Sequence, residues 1–336
     1  MQTIDLRGIR CPTNFIKATL ALEMMDSGET VKFLLDDGEP ARNVPRSLKE
    51  EGHRVLGMET RYGYHVLTLE KAFLDARSGG PVREYPSIRI TRSGREPATD
   101  PVMMEETVEL IVNDTKLASI VTTPDLRKEL AVGYMVTEGA VKDRNDIEEI
   151  NASGNRVYLK ISSFDHFNHW HELRSSGCIG LNWDKRDDEL HVPAKQVFAI
   201  DILLDGIKYL YDETQQSTGG AHTASLVDVD GGLRYKALDI GRHNAIDKVV
   251  GMATLNRDDL SEMFLVSSGR QPAGMVMKAA RAGIPLIISK SAPVSSGIES
   301  AIRSNITLCC FATAEKIKVF SAHERITPAR HYPYGA

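Results

Sequence analysis

Four cysteines carry the first chemical question in this chain: Cys11, Cys178, Cys309 and Cys310. Cys178 stands in SSGCIG (Ser175–Gly180), between glycines and after two serines, where a core thiol would be ringed by apolar residues. In a reducing compartment, thiols that persist are buried, metal-bound or reactive. Cys11 precedes Pro12, and proline favours the first helical position, so its thiol is predicted at a helix N-cap. Unpaired N–H groups and the positive end of the helix dipole favour the thiolate there, the form that attacks sulfur electrophiles. A small N-terminal residue without a task is the alternative. Cys309 and Cys310 fall in ITLCCFA, predicted as a buried strand in which both thiols pack as small hydrophobes.

Four further segments share a second kind of chemistry: TGGAHTASL (Thr218–Leu226), DIGRHNAIDK (Asp239–Lys248), SSGRQPAGM (Ser267–Met275) and SKSAP (Ser289–Pro293). Each adjoins a predicted strand or helix end and offers Gly or Ser amides that can approach an anion, and three add Arg or Lys. Because ligands of open α/β folds collect beyond strand ends, convergence of these loops would form a pocket for a phosphate-bearing molecule. Ordinary turns with exposed Arg242 and Arg270 are the other reading. None is a P-loop or G-x-G-x-x-G. His166, His169 and His171, shortly before Cys178, have the ligand types for zinc. Their irregular spacing and the absence of C-x-x-C favour a polar surface loop, so no metal site is expected.

The elements that must position these residues are legible from periodicity. TIDLRG and VKFLL read as strands, and Phe15, Ala18, Leu22 and Met25 give one helical face. A second helix is expected around Ala41 to Glu51, with Pro45 inside its pattern, and RVLGMET and YHVLTLE read as a closing hairpin. The order is βαβαββ over residues 1–70. Residues 71–100 lose periodicity and are predicted as a linker ending in the short strand SIRIT. A larger domain, 101–336, opens with a hairpin around Asn113-Asp114 and a helix after Pro124-Asp125 with Leu126, Leu130, Ala131 and Tyr134 on one side. A long helix from Val197 to Tyr211 is expected next. Alternating buried strands and helices then imply a layered α/β core.

With 336 residues, 42% hydrophobic and 26% charged, the chain is long enough for two or three domains. A net charge of −5 argues against coating nucleic acid or an acidic membrane. The start MQTIDLRGIR lacks a signal-peptide core, and no stretch approaches the apolar length of a membrane span. A cytoplasmic protein is expected.

DLRGIRCP (Asp5–Pro12), with the βαβαββ order, resembles the TusA/SirA-like sulfur-carrier family, in which the cysteine carries a persulfide; the resemblance gives Cys11 that role. The family usually has C-P-x-P, and here the last position is Asn14. LAVGYMVTEG (Leu130–Gly139), SSGC, TGGAHTASL, DIGRHNAIDK, SSGR, KAARAGIP (Lys278–Pro285) and SAP, in that order, resemble the FdhD/NarQ family of formate dehydrogenase accessory proteins. That resemblance implies a fold like that of cytidine deaminases with a smaller β-rich subdomain. It also implies a sulfurtransferase that passes sulfur from a cysteine desulfurase to the molybdenum (or tungsten) bis(pterin guanine dinucleotide) destined for the formate dehydrogenase apoprotein. Deamination is excluded by the missing zinc ligands of H-x-E and P-C-x-x-C.

By the same resemblance Cys178 carries the persulfide and the protein is a homodimer. Many family members have C-G-x-C-G where this chain has a single thiol, and one thiol suffices for carriage. The family's cofactor-binding F-x-R-x-x-R aligns with Phe311–Lys316, FATAEK, where Thr313 and Lys316 replace the arginines; Lys316 keeps one point charge without a bidentate grip. The expected relay loads Cys11, transfers sulfur to Cys178 and delivers it to the cofactor, whose guanine nucleotide would be held by the loops. Arg242, Arg270 and Lys248 would meet phosphates, and Gly219, Gly220, Gly241, Ser268, Gly269 and Ser291 would supply amides. Asp239 or Asp247 would accept guanine N–H donors, with Asn244 and Phe311 completing the site. His222 and His243 would bind phosphate, move a proton or serve a structural hydrogen bond. Two other readings are a chaperone that holds the cofactor without moving sulfur, and delivery of sulfur to tRNA or another thiolated acceptor.

Overall fold

In the computed structural model, described for residues 2–10, 13–23, 25, 29–50, 53–71, 80–162, 172–174, 190–193 and 195–329, the periodicities of the sequence resolve into two units. One comprises Met1–Gly79 and Asn151–Arg156, the other Gly80–Ile150 and Val157–Ala336.

The first unit has the expected order: β1 (Gln2–Asp5), α1 (Thr13–Glu23), β2 (Thr30–Asp36), α2 (Glu39–Glu50), β3 (Arg54–Arg61) and β4 (Tyr64–Glu70). They form one sheet, β1-β2-β4-β3, with β1 parallel to β2 and the other pairs antiparallel. The strict alternation in β2 buries Val31, Phe33 and Leu35 against Phe15, Ala18 and Leu22 of α1 and Ala41, Val44 and Leu48 of α2. Pro45 lies inside α2. It removes one i→i−4 bond, at a cost of about 3 kcal/mol, which the burial of three apolar side chains on that helix offsets.

The second unit begins with β5 (Val82–Thr91) and β6 (Gly94–Met103), a two-stranded antiparallel ribbon. The expected linker therefore gives way to paired strand from Val82, because the prolines and charges that hide periodicity there sit on an exposed ribbon with no buried face to reveal it. Next come β7 (Glu106–Val112) and β8 (Thr115–Thr122), joined at Asn113 and Asp114, both with positive φ (44° and 67°), the conformation of a tight hairpin turn. With β9 (Ile147–Ser153), β10 (Arg156–Ile161) and β11 (Glu172–Arg174) they make a five-stranded sheet ordered β11-β8-β7-β10-β9. Between β8 and β9 runs α3 (Arg127–Thr137), buried continuously from Leu130 to Thr137.

The expected long helix from Val197 is instead broken. β12 (Phe198–Ala199) pairs with β19 (Ile326–Thr327), and only then does α4 (Ile200–Gly206) start, tightening into a 3₁₀ turn at Ile207–Leu210. Gly206 sits where a Cβ would stand 2.9 Å from the Phe264 ring, so tertiary packing overrides the helical period. After α5 (Glu213–Thr218) come β13 (His222–Asp228), β14 (Leu233–Asp239), α6 (Arg242–Leu255), β15 (Met263–Ser267), α7 (Ala273–Arg281), β16 (Leu286–Ser289), α8 (Ser295–Arg303), β17 (Thr307–Cys310) and β18 (Lys318–Val319).

The resulting six-stranded mixed sheet is ordered β14-β13-β15-β16-β17-β18. β15, β16 and β17 are parallel, and their side chains are buried throughout, as a doubly covered sheet requires. α3 crosses α6 at glycine: a Cβ on Gly133 would stand 1.6 Å from the Asp247 carbonyl oxygen, and one on Gly251 1.8 Å from that of Glu129. Only residues without side chains permit that approach, which explains two glycines of LAVGYM and KVVG as packing residues.

Candidate functional site: the carboxyl ends of the six-stranded sheet

Strand direction gathers the four Gly- and Ser-rich segments at one end of the sheet. His222 opens β13 opposite Asp239, which closes β14; Ser267 closes β15 beside Ser289, which closes β16. Cys310 closes β17 opposite Lys318, which opens β18. α6, α7 and α8 each begin just after β14, β15 and β16, so three helix N-termini face the same end. Their dipoles favour an anion there.

Hydrogen bonds fasten these loops to each other. The Gly241 N–H donates to Asp239 Oδ1 (2.8 Å), and Gly269 N–H to Ser267 Oγ (3.2 Å). Ser289 Oγ donates to the Gly269 carbonyl (2.7 Å) and accepts from the Ser291 N–H (3.0 Å); the Phe311 N–H donates to the Ser291 carbonyl (3.0 Å). Gly269 also lets a side chain cross it, since a Cβ there would stand 2.9 Å from Arg242 Cβ and Cδ. Gln271 is wholly buried, donates from Nε2 to the Gly269 carbonyl (2.9 Å) and leaves Oε1 buried without a hydrogen-bond partner.

Charge at this end is positive. Arg270 and Lys290 are exposed, and Arg242 is half-buried. His222 is held below the ordinary imidazole range, first by burial and then by the positive charges of Arg242, Lys290 and Arg270, with Asp239 acting against them. Its Nδ1 lies 3.2 Å from Ser268 Oγ, which already accepts from the Thr223 N–H (2.9 Å). This contact holds the imidazole at the strand end, against the Ser268 hydroxyl. A neutral imidazole so fixed offers a donor, and with three cations the end of the sheet is a set of donors for a polyanion.

Not every predicted residue belongs to that surface. Asp239 is wholly buried and saturated: besides Gly241 it accepts from Thr122 Oγ1, from Thr123 N (3.2 Å) and Oγ1 (3.1 Å) and from Asn244 Nδ2 (2.9 Å), and it pairs with Lys248 (2.8 Å). Lys248 is itself buried and also pairs with Asp125 (2.6 Å). Asn244 donates further to the Val121 carbonyl (2.7 Å). Asp247 is buried beside Lys278 (2.8 Å) and accepts from Thr137 Oγ1 (2.6 Å), while Lys278 also reaches Glu138 (2.9 Å). Burial pushes the Asp247 carboxyl up, with Lys278 opposing.

The N–H groups of Gly219, Gly220, Gly241, Ser268, Gly269 and Ser291, expected to supply amides to the ligand, all donate within the protein instead. The side-chain contacts likewise correct the expected phosphate contact of Lys248, the guanine contacts of Asp239 and Asp247 and the ligand role of Asn244. All four are committed to fixing α6 under the sheet end. Gly219 (φ 61°) ends α5, and Gly220 lies against Met103. His243 is half-buried in the first turn of α6. Phe311, 42% exposed, has φ 53°, a conformation uncommon outside glycine, and Lys318 Nζ stands 5.1 Å from its ring centre. Lys316 is exposed in the turn between β17 and β18. Lys290 and Gln271 were not singled out from sequence; their place directly after buried strands beside SSGR and SAP was the available signal.

Cys11, Cys178 and the three histidines before Cys178 lie outside the described residues. Among the described residues no group of three or more His, Cys, Asp and Glu is arranged to hold a metal ion, and no helix is long and apolar enough to cross a membrane. Cys309 and Cys310 are buried, and burial raises both thiols to about 12.

A mixed six-stranded sheet whose strand ends gather glycine loops, helix N-termini and cations defines an α/β protein with a positively charged strand-end site. The chain belongs to the FdhD/NarQ family, whose model matches residues 103–327. A second model, Sulfurtransferase TusA, matches residues 2–71. Sulfur carrier protein FdhD of Wolinella succinogenes is 34% identical over 241 residues, covering 68% of this chain and 82% of the relative. The protein of the same name from Methanothermobacter thermautotrophicus is 31% identical, covering 73% and 98%. A crystal structure from Desulfotalea psychrophila, assigned as a formate dehydrogenase accessory protein, superposes with a TM-score of 0.63 at 27% identity, covering 73% of this chain and 99% of that one.

Proposed function

We propose that this chain is a fused sulfur relay serving formate dehydrogenase. Its relatives are named sulfur carriers, its solved neighbour is assigned as a formate dehydrogenase accessory protein, and one polypeptide joins a TusA match to an FdhD/NarQ match. The observation that carries the reading is the strand-end cluster of Arg242, Arg270, Lys290 and His222, a set of donors suited to the diphosphate of a pterin guanine dinucleotide.

In the relay, the Cys11 thiolate attacks the outer sulfur of a desulfurase persulfide and releases the desulfurase thiolate. The Cys178 thiolate then attacks the outer sulfur of the Cys11 persulfide, forming a new S–S bond and releasing the Cys11 thiolate. Oxidation state is conserved at each exchange, and only a proton is redistributed. Cys178 presents that sulfur to the molybdenum or tungsten centre of the substrate, bound by its diphosphate at the strand ends. Arg242 and Arg270 grip phosphate oxygens in pairs of hydrogen bonds and Lys290 adds a point charge. His222 donates one further bond, and the exposed Phe311 ring offers a stacking face for the guanine base. The partners are a cysteine desulfurase, the formate dehydrogenase apoprotein and a second copy of the chain, in the cytoplasm.

Transfer of isotopically labelled sulfur from a desulfurase tests this reading. Label is expected on the Cys178 peptide of the wild type, on Cys11 alone in Cys178→Ser, and on neither Cys178 nor the cofactor in Cys11→Ser. An unlabelled Cys178 in a protein that still activates formate dehydrogenase would show a chaperone that holds the cofactor without moving sulfur.

A further inference from the structure

The far end of α6 is charged as well. Its 14 residues, rising about 1.5 Å each, carry it roughly 21 Å from Arg242 at the strand-end site to Leu255. Beyond Leu255 lies a cavity of about 340 Å³, within the roughly 300–1,000 Å³ of small-molecule sites. Its walls are the segment that follows α3, the turn between α6 and β15, and Ala282 and Gly283 just past α7. Lys142, Arg144 and Arg257 line it together with Asp143, Asp258 and Asp259.

These opposite charges do not pair with each other. Asp143 caps the 3₁₀ turn after it, accepting from the Asn145 N–H (2.7 Å). Asp258 Oδ2 accepts from the Tyr235 hydroxyl (2.6 Å) and from Arg234 (3.4 Å). Asp259 accepts from the Ser261 N–H (2.9 Å) and hydroxyl (2.7 Å), which hold its carboxyl below the usual range. The cations turn to neutral acceptors: Arg144 donates one N–H to the Ile147 carbonyl, and Arg257 one to Asn145 Oδ1 (2.6 Å). Among the described residues neither arginine forms an ion pair, nor does Lys142. A guanidinium carries several donors, so most of theirs are uncommitted. Arg257 is also held at φ 61°, where a helix ordinarily ends on glycine. Its N–H donates to the Thr254 carbonyl (3.1 Å) and that of Asp258 to the Ala253 carbonyl (3.0 Å), closing α6 as a glycine would. A side chain in that conformation is strained, and strain of this kind is kept where a function needs the side chain.

We propose that this cavity binds an acidic α-amino acid, its carboxylates on Lys142, Arg144 and Arg257 and its ammonium toward the carbonyl ends of α6 and α7. The uncommitted donors call for carboxylates, with which guanidinium groups make strong charge-assisted bonds. A ligand that carried only negative charge would meet the negative ends of two helix dipoles, at Leu255 and Arg281. One that carried only positive charge would meet three cations without an ion-pair partner. A molecule with carboxylates and an ammonium satisfies both walls. The site is separate from the strand-end cluster and does not rest on the relay.

Calorimetric titration of the full chain with L-glutamate and L-aspartate tests it. At least one is expected to bind about tenfold or more tightly than glutarate, which lacks the ammonium, and putrescine, which lacks carboxylates. Lys142→Gln and Arg257→Gln are each expected to weaken that binding about tenfold or more, and Arg270→Gln at the strand ends to leave it unchanged. Arg257→Gly is expected to weaken it equally without lowering Tm, because glycine suits the left-handed backbone. Guanosine diphosphate binding by the Lys142 and Arg257 variants is expected to match the wild type, so that failure here and failure at the strand ends are told apart. No binding of either amino acid overturns the site, and glutarate or inorganic phosphate binding as tightly overturns the ligand class. Amino-acid binding that survives Arg257→Gly while Tm falls would make Arg257 a structural residue and overturn the proposal.

Discussion

Lys248→Met separates a structural role for the DIGRHNAIDK segment from a ligand-binding one. Lys248 Nζ is buried, 2.8 Å from the wholly buried Asp239. Removing it leaves that carboxylate without its cation, and truncating one partner of a buried pair costs about 3–5 kcal/mol. For a unit of this size each kcal/mol lowers Tm by about 2–4 °C, so a fall of about 6–20 °C is expected. Asp239 keeps its donors from Thr122, Thr123, Gly241 and Asn244, which places the cost toward the lower half of that range. Replacing both partners, Asp239→Asn with Lys248→Met, is expected to recover at least half of the loss, because the pair is removed without leaving a buried charge behind. Thermal denaturation measures this, and guanosine diphosphate binding, taken well below either Tm, is expected to change little. Lys248→Met with a wild-type Tm and sharply weakened nucleotide binding would refute the structural role and return the amino group to the ligand.

Two more outcomes follow from buried titratable groups. His222 has its pKa depressed in the fold, so below the ordinary imidazole value of about 6.5 the unfolded chain takes up a proton that the folded one does not. Stability present above that pH is lost as pH falls toward the folded value. His222→Gln is expected to flatten the wild-type decline in Tm between neutral pH and about pH 5, and parallel curves for the two proteins would contradict the assignment. Cys309 and Cys310, with thiols raised to about 12 by burial, are expected to resist iodoacetamide in the native state and to react after denaturation. Native labelling of either, read by peptide mass spectrometry, would place a reactive thiol in the sheet.

Much of this architecture was legible where burial is one-sided. The alternation of β2 and the face of α1 gave the βαβαββ unit, and the apolar runs of β15, β16 and β17 gave the covered sheet. It was illegible where a residue's neighbours are remote in sequence. The β5–β6 ribbon has no buried face, and the segment from Val197 is helical in pattern but broken by pairing with Ile326 and Thr327. At the site, Arg242, Arg270 and the glycine loops could be found because Gly and Arg at strand ends have a local signature. That Asp239, Asp247 and Lys248 are internal supports could not, because Thr122, Thr123, Asp125, Thr137 and Lys278, which claim them, come from distant segments.

The most direct measurement is calorimetric titration of guanosine diphosphate into the wild type and into Arg270→Gln and Lys290→Gln, both exposed positions. A charge-assisted hydrogen bond is worth about 1.5–3 kcal/mol, so each variant is expected to bind about tenfold or more weakly, with unchanged Tm and a shallower dependence on salt. Equal binding by all three proteins, or none by the wild type, would contradict a polyanion site at the carboxyl ends of this sheet.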